Sequence, residues 1–200
     1  MTELRRDLAI ISDWIKPNCR ILDLGCGNGT LLKHLRDTRG VNGYGLEIDT
    51  DKIITCLNNN INVIQTDLDA GLSVFDSDSF DYIVMSQTLQ AIYRPDLLIE
   101  EMLRVGREGI VTFPNFGHWK ARLHIALGGH MPVYGAISYE WYNTPNIHLC
   151  TLSDFEKLCK DKGIKILQRE VVTTEHKSSI AMRVLPNLLG ELALYRFTKK

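Results

Sequence analysis

Nowhere do the 200 residues approach the roughly 18 uninterrupted apolar positions of a membrane-spanning helix. Nor is there an excess of charge of either sign. Lys plus Arg is 23 against 24 for Asp plus Glu, and a net charge of −1 leaves no electrostatic footprint for a duplex-binding protein. Internal repeats, low-complexity tracts and Pro/Ser-rich linkers are missing, so nothing marks a domain boundary and one domain over residues 1–200 is the working expectation. No cysteine pair has CxxC spacing. The five cysteines, an odd number with no apolar leader of signal-peptide type before them, suit reduced thiols in a cytoplasm. A phosphate-binding Gly-x-x-x-x-Gly-Lys-Ser/Thr loop is also absent.

What remains is ordinary globular composition, 44% hydrophobic and 24% charged, close to the averages of roughly 45–50% and about 25%. Charge is uneven along the chain. Residues 51–100 carry 2 basic and 8 acidic side chains and residues 151–200 carry 10 and 6, a pattern read chiefly as solvated surface because the basic residues are scattered.

Apolar positions Leu4, Leu8, Ile11 and Trp14 recur at helical spacing, and Pro17-Asn18 stops that helix before a short apolar strand at 20–24. Helices are expected at 30–36, 51–58 and 97–105, and strands at 44–48, 63–65, 80–86 and 109–113, the last cut by Pro114. Strands alternating with helices argue for a mostly parallel sheet covered on both faces. Residues 114–150 break the alternation. They are rich in aromatics, His, Gly and Pro, with one helical stretch at 119–127, and read as an insertion. A helix at 152–162, capped by Ser153 and closed by Gly163, then leads to strands at 164–172 and 192–198 that can pair as an antiparallel edge.

Chemistry concentrates at Asp23-Leu24-Gly25-Cys26-Gly27-Asn28-Gly29, where the first strand turns into a helix. Glycines there let backbone approach a ligand at the carboxyl end of the sheet. A dinucleotide fingerprint requires a third glycine three residues after Gly27, but Thr30 stands there. Asp23 beside the turn disfavours a pyrophosphate and favours a cationic ligand. Glu47, twenty residues after Gly27, can accept the hydroxyl hydrogens of a ribose, which alone does not separate NAD from S-adenosylmethionine. Asp67, after the third strand, can accept from an adenine amino group. Each acid alone also reads as a turn or cap residue; three on successive strand ends make a coherent site.

The glycine loop, Glu47, Asp67-Leu68 and the strand ending at Ser86-Gln87 resemble class I S-adenosylmethionine-dependent methyltransferases. The resemblance is closer to the MetW family of methionine biosynthesis proteins. It rests on Gly43-Tyr44-Gly45-Leu46-Glu47-Ile48-Asp49, Ser86-Gln87-Thr88-Leu89-Gln90, Phe113-Pro114-Asn115-Phe116-Gly117-His118-Trp119 and Glu140-Trp141-Tyr142 through Pro145-Asn146-Ile147-His148-Leu149-Cys150, and covers nearly the whole chain. It implies a Rossmann-like seven-stranded sheet, mostly parallel with an antiparallel C-terminal edge. By the same resemblance S-adenosylmethionine or S-adenosylhomocysteine is the cofactor, with Gly25, Gly27 and Gly29 at its amino-acid part, Glu47 at the ribose and Asp67 with Leu68 at the adenine. Asp23, Cys26, Asn28, Ile48, Ser86 and Gln87 complete the expected contacts. Homoserine O-acyltransferase is the implied partner. A methyl acceptor does not come with the resemblance.

Candidate bases in the insertion are His118, His124, His130, Tyr139 and His148, since a positioned imidazole can accept a proton near neutral pH. No Asn-Pro-Pro-aromatic motif or Pro-Cys pair directs methylation to nucleic acid. His118, His124 and His130 are six apart and do not share a helix face, so no metal is expected. Cys26 sits beside a helix N-terminus that can lower a thiol pKa, but it has no evident base partner. Phe116, Trp119, Tyr134, Tyr139, Trp141 and Tyr142 belong to a lid, a partner surface or cover for the sheet edge, and His118, Trp119, Tyr139, Trp141 and His148 are the candidate substrate or partner contacts. Two functions follow: an S-adenosylmethionine-binding partner or activator of the acyltransferase, or a methyltransferase acting on a small molecule. Self-association remains open.

Overall fold

The computed structural model describes residues 4–173 and 180–200; the first three positions of the N-terminal stretch lie outside the described residues. In chain order the elements are α1 (Arg6–Trp14), β1 (Arg20–Leu24), α2 (Thr30–Arg39), β2 (Asn42–Glu47), α3 (Thr50–Asn58), β3 (Asn62–Gln65), β4 (Phe80–Ser86), α4 (Pro95–Val105), β5 (Gly106–Pro114), α5 (Trp119–Leu123), α6 (Leu152–Asp161), β6 (Ile164–Val172), α7 (Ile180–Val184), α8 (Pro186–Leu189) and β7 (Leu192–Lys199). The seven strands form one sheet in the order β3-β2-β1-β4-β5-β7-β6. The first five run parallel; β7 lies antiparallel to both β5 and β6.

Strand alternation divides the core. Leu22, Ile83, Met85 and Val111 enter one cluster with Leu98, Ile99 and Met102 of α4 and Phe155 of α6. Their chain neighbours Ile21, Tyr82, Val84 and Ile110 enter the other, against Leu8 and Ile11 of α1 and Leu31 and Leu35 of α2. A period of two across a sheet buried on both faces requires this arrangement.

Several boundaries differ from the sequence expectation. Strand β5 starts directly after α4 and carries Pro114 at its far end, paired with Leu192 of β7. The cap of α6 is Thr151 rather than Ser153: Thr151 Oγ1 accepts from Asp154 N at 3.2 Å and the Asp154 carboxylate accepts from Thr151 N at 2.9 Å. A Ser153 cap would forgo that reciprocal pair, which satisfies two otherwise unpaired donors. The helix expected at 119–127 is α-helical only through Leu123 and then widens into a π turn, His124–Gly128. The short helices α7 and α8 were not anticipated.

Residues 115–150 leave β5 and return to α6 with the ends of the segment tied, Phe116 N donating to Cys150 O at 3.1 Å. Asn115, fully buried, holds that base. Its amide donates to Asn187 O (2.9 Å) and Gly190 O (2.8 Å), its Oδ1 accepts from Gly117 N (2.9 Å), and its backbone N–H donates to Glu191 O (2.8 Å). Asn115→Ala leaves those side-chain partners unpaired, at about 1–3 kcal/mol for each buried group. We expect a loss of about 3 kcal/mol in unfolding free energy with the denaturant slope unchanged, read from urea titration.

Candidate functional site

The sheet order reverses direction at β1, with β2 on one side and β4 on the other. Ligands of open α/β sheets sit outside the carboxyl ends of the strands at this switch. The loop leaving β1 is stitched to β2, since Gly25 N and Cys26 N both donate to Leu46 O at 2.8 and 3.0 Å. Glu47 holds it further. Its Oε2 accepts from Gly27 N at 2.9 Å, and its Oε1 from Ile48 N and Asp49 N at 2.9 and 3.1 Å.

Gly25, Gly27 and Gly29 all have positive φ, 70°, 56° and 70°. Only Gly27 faces open space: a Cβ there meets nothing within 4 Å, whereas one on Gly25 would lie 2.6 Å from Thr88 Oγ1 and one on Gly29 3.0 Å from Cys56 Sγ. Gly25 is needed for contact with the loop after β4, Gly29 for packing on α3. Gly27 presents bare backbone.

Two cavities meet at Gly25. One, of about 270 Å³, is bounded by Arg5, Asp23, Cys26, Gly27, Asn28, Lys52 and Ser86. The other, of about 310 Å³, is bounded by Glu47, Ile48, Asp67, Leu68, Thr88 and Ile92. Asp67 caps the turn Leu68–Ala70, its Oδ1 accepting from Asp69 N at 3.0 Å, and also faces the cavity, so both readings of this residue apply. Of the twelve expected contacts, Gly29 and Gln87 do not line these cavities.

Gln87 instead anchors the N-terminal helix. With φ at 56°, it donates from its backbone N to Thr112 Oγ1 (3.0 Å) and from Nε2 to Asp7 Oδ2 (3.1 Å). Asp7, 1% exposed, also takes a bidentate pair from Arg5 at 2.6 and 2.9 Å, while Arg5 Nη2 donates to Ser86 Oγ at 3.1 Å. Arg5 is thereby held at the rim of the smaller cavity. Sequence reading missed Arg5, Lys52 and Thr88; no short-range spacing marks them.

Burial, reinforced by the neighbouring Glu47 carboxylate and opposed by Arg5, pushes the Asp23 carboxyl up to about 7. Cys26 is also raised by burial, then by Asp23 and Cys56, opposite to the lowering a helix N-terminus was expected to give. The thiol stays protonated, and covalent catalysis by it has no support.

None of the aromatic and histidine candidates of residues 115–150 lines either cavity. His118 is buried against Tyr134, Nδ1 to Oη 3.1 Å, and burial lowers its pKa. His148 Nε2 lies 3.1 Å from Tyr93 O. The Trp119 ring lies tilted at 47° to the His118 ring, 5.7 Å between centroids. Tyr139 and Trp141 border a separate groove. Among the described residues no three His, Cys, Asp or Glu side chains cluster in a way that can hold a metal, and no helix is long and apolar enough to cross a membrane.

Residues 5–197 match the protein family described as methionine biosynthesis protein MetW. The chain belongs to the MetW family. A curated relative, the bifunctional methionine biosynthesis protein MetXA/MetW of Rhodopirellula baltica, is 33% identical over 98% of this chain. The chain spans about a third (33%) of that relative's length. The chain has the class I methyltransferase fold. A S-adenosylmethionine-dependent methyltransferase from Archaeoglobus fulgidus superposes with a TM-score of 0.73 at 16% identity, covering 98% of this chain and 93% of that one. Phosphoethanolamine N-methyltransferase 2 of Haemonchus contortus, solved with S-adenosyl-L-methionine, gives 0.71 at 16% identity over 98% of this chain and 52% of its own.

The raised Asp23 carboxyl fixes a pH dependence of the chain's stability. Between the unfolded value near 3.8 and about 7 the folded chain keeps a proton that the unfolded chain has lost. The contribution is therefore fully present below the unfolded value and is lost as pH rises through about 7. We expect Asp23→Asn to lack this decline, so that its stability relative to wild type rises between pH 4 and pH 8 in urea titrations. A difference that does not vary with pH would place the Asp23 carboxyl in its ordinary range.

Proposed function

We propose that the chain binds S-adenosylmethionine, or S-adenosylhomocysteine, in the paired cavities and acts with a homoserine O-acyltransferase of methionine biosynthesis, activating or regulating it. The observation that carries the cofactor reading is Gly27. It offers backbone with open space before it, braced by a buried carboxylate, beside one cavity lined by Asp23 and another lined by three acids, Glu47, Asp67 and Asp69. When bound, the cofactor supplies an electrophilic methyl group on a sulfonium.

The residues divide the ligand between them. Asp23 and Arg5 present opposite charges in one cavity, which suits the ammonium and carboxylate of a zwitterionic amino-acid end. Glu47 keeps acceptor capacity beyond its three backbone donors for a ribose diol. Asp67, Leu68 and Ile48 border the space for the adenine, with Ile48 60% exposed and free to cover a ring face. This assignment adds Arg5 and Thr88 to the residues expected from sequence. Gly27→Val fills the open space and abolishes binding, whereas Glu47→Ala costs about tenfold to a hundredfold in affinity. Arg5→Ala weakens S-adenosylhomocysteine about tenfold while leaving 5′-methylthioadenosine, which lacks the amino-acid end, unchanged. Calorimetric titration of both ligands checks this; equal losses for the two would remove Arg5 from the carboxylate role.

Support for the partner comes from the Rhodopirellula baltica relative, whose name joins MetXA and MetW in a single polypeptide. A regulatory role requires, by linkage, that cofactor and acyltransferase alter each other's affinity. Acyl transfer to homoserine by the acyltransferase of the same cell, measured with and without this purified chain, tests the reading directly. A large rate increase is expected, and its magnitude should depend on S-adenosylmethionine. Unchanged acyl transfer at saturating chain would defeat it. The alternative is methyl transfer to a small acceptor seated against residues 115–150, favoured by the turn Leu89–Ala91, which contributes Ala91 to the cofactor cavity and Gln90 to the neighbouring groove. Label passing from the cofactor to a metabolite in cell extract identifies that case.

A further inference from the structure

Among the described residues, half of the exposed large hydrophobic side chains, 11 of 22, fall between Trp119 and Leu149. Isolated exposed apolar residues need no explanation, but these are not isolated. Met131, Tyr139, Trp141, Ile147 and Leu149, each between 42% and 73% exposed, border one groove of about 170 Å³ together with Phe116. No charged side chain lines it; its polar groups come from Gln90, Ser138, Thr144 and Asn146. Across residues 119–149 the formal charges are only Lys120, Arg122 and Glu140. Aromatic and Met enrichment with charge depleted from the centre is the composition of an interface core, and Trp and Tyr are the side chains that most often anchor one.

The groove does not belong to the cofactor cavities, yet it is fastened to their wall. Gln90 O accepts from Ile147 N and His148 N at 2.9 and 3.0 Å, and Gln90 Nε2 donates to Pro114 O at 3.1 Å. On the other side of the same turn, Thr88, Ala91 and Ile92 border the cofactor space. An occupant of the groove therefore bears on one turn of chain whose opposite side faces the cofactor.

We infer that this groove is the docking surface for the acyltransferase, receiving an apolar side chain that projects from a largely uncharged patch of that enzyme. The inference rests on the partnership proposed above and names where that contact is made. A partner fits better than a soluble metabolite because Met131, Tyr139, Trp141, Ile147 and Leu149 on its apolar rim keep 42–73% of their surface exposed. The acyltransferase is chosen over other proteins because the Rhodopirellula baltica relative carries the MetXA and MetW functions on one polypeptide, and such tethering holds two modules at about millimolar effective concentration. Two modules kept that close can use a surface of this kind.

The test measures binding of the purified acyltransferase to the wild-type chain and to Trp141→Ala, Tyr139→Ala and, as a control away from the groove, Val74→Ala, which alters a residue 85% exposed. S-adenosylhomocysteine affinity is measured on every variant to establish that the cofactor site and fold are intact. The expected result is a loss of about tenfold or more in acyltransferase affinity for each groove variant, none for Val74→Ala, and unchanged cofactor affinity throughout. Wild-type binding with equal affinity in the groove variants overturns the docking site while leaving the partnership standing. No binding by the wild-type chain defeats the partnership and the inference together. If sedimentation shows a self-associated wild type, and Trp141→Ala dissociates it without altering acyltransferase affinity, the occupant is a second copy and the assignment is overturned.

Discussion

The carboxylate of Glu47 is the fixed point of this molecule. It sits at the last position of β2, buried, and takes backbone hydrogens from Gly27, Ile48 and Asp49 at once. A buried carboxylate is costly unless such donors surround it. Here they belong to the loop after β1 and to the chain after β2, so satisfying the charge also fixes the positive-φ path of the glycine loop. The same charge acts on Asp23 through the low-dielectric floor of the site and helps push that carboxyl toward neutral pH. One acid is thus consumed by structure while its neighbour is left poised for a cation, and both facts follow from one placement at a strand end.

A second buried charge performs the matching task on the other side. Asp7, near the start of α1, is paired by Arg5 and by Gln87, which tie the helix to the carboxyl end of β4. Pairing one buried carboxylate makes Arg5 a fixed cation at the mouth of the cavity. Gln87 is held at positive φ by hydrogen bonds from its own N–H to Thr112 O and Thr112 Oγ1, a strained backbone maintained by its surroundings. Removing α1 would therefore expose an apolar face and also dismantle a charged wall of the cofactor space.

Most of the framework was legible because it depends on short-range regularities. Continuous apolar runs such as Tyr82-Ile83-Val84-Met85 announce strands buried on both faces, and the glycine loop announces itself by composition. Boundaries were less so. Thr151 and Ser153 are both competent caps, and the choice between them turns on Asp154 standing three residues after the first. The candidate site was legible where its residues lie at or near the carboxyl ends of strands, as with Asp23, Glu47 and Asp67. It was not legible where partners lie 80 or 81 residues apart, as for Arg5 with Ser86 and Gln87 with Asp7, since no pattern in a single sequence pairs such positions. Asn115 shows the same limit: its side chain closes the base of the segment through bonds to Asn187 and Gly190, 72 and 75 residues away.

The turn Leu89–Ala91 gives the two halves of the proposal a common element. Coupling between a cofactor and a docked protein needs a structure whose equilibrium both can bias. A three-residue turn with Gln90 on one side, gripped by the segment that carries the aromatic groove, and Ala91 on the other, beside the cofactor space, meets that condition without any long chain of contacts. Thr88, immediately before it, lies so close to Gly25 that a Cβ there would come within 2.6 Å of Thr88 Oγ1, so the turn and the glycine loop are in direct contact. The proposed cofactor binding at the loop and the proposed docking at the groove thus bear on the same few residues, and the sign of any coupling depends on whether each favours the same position of that turn.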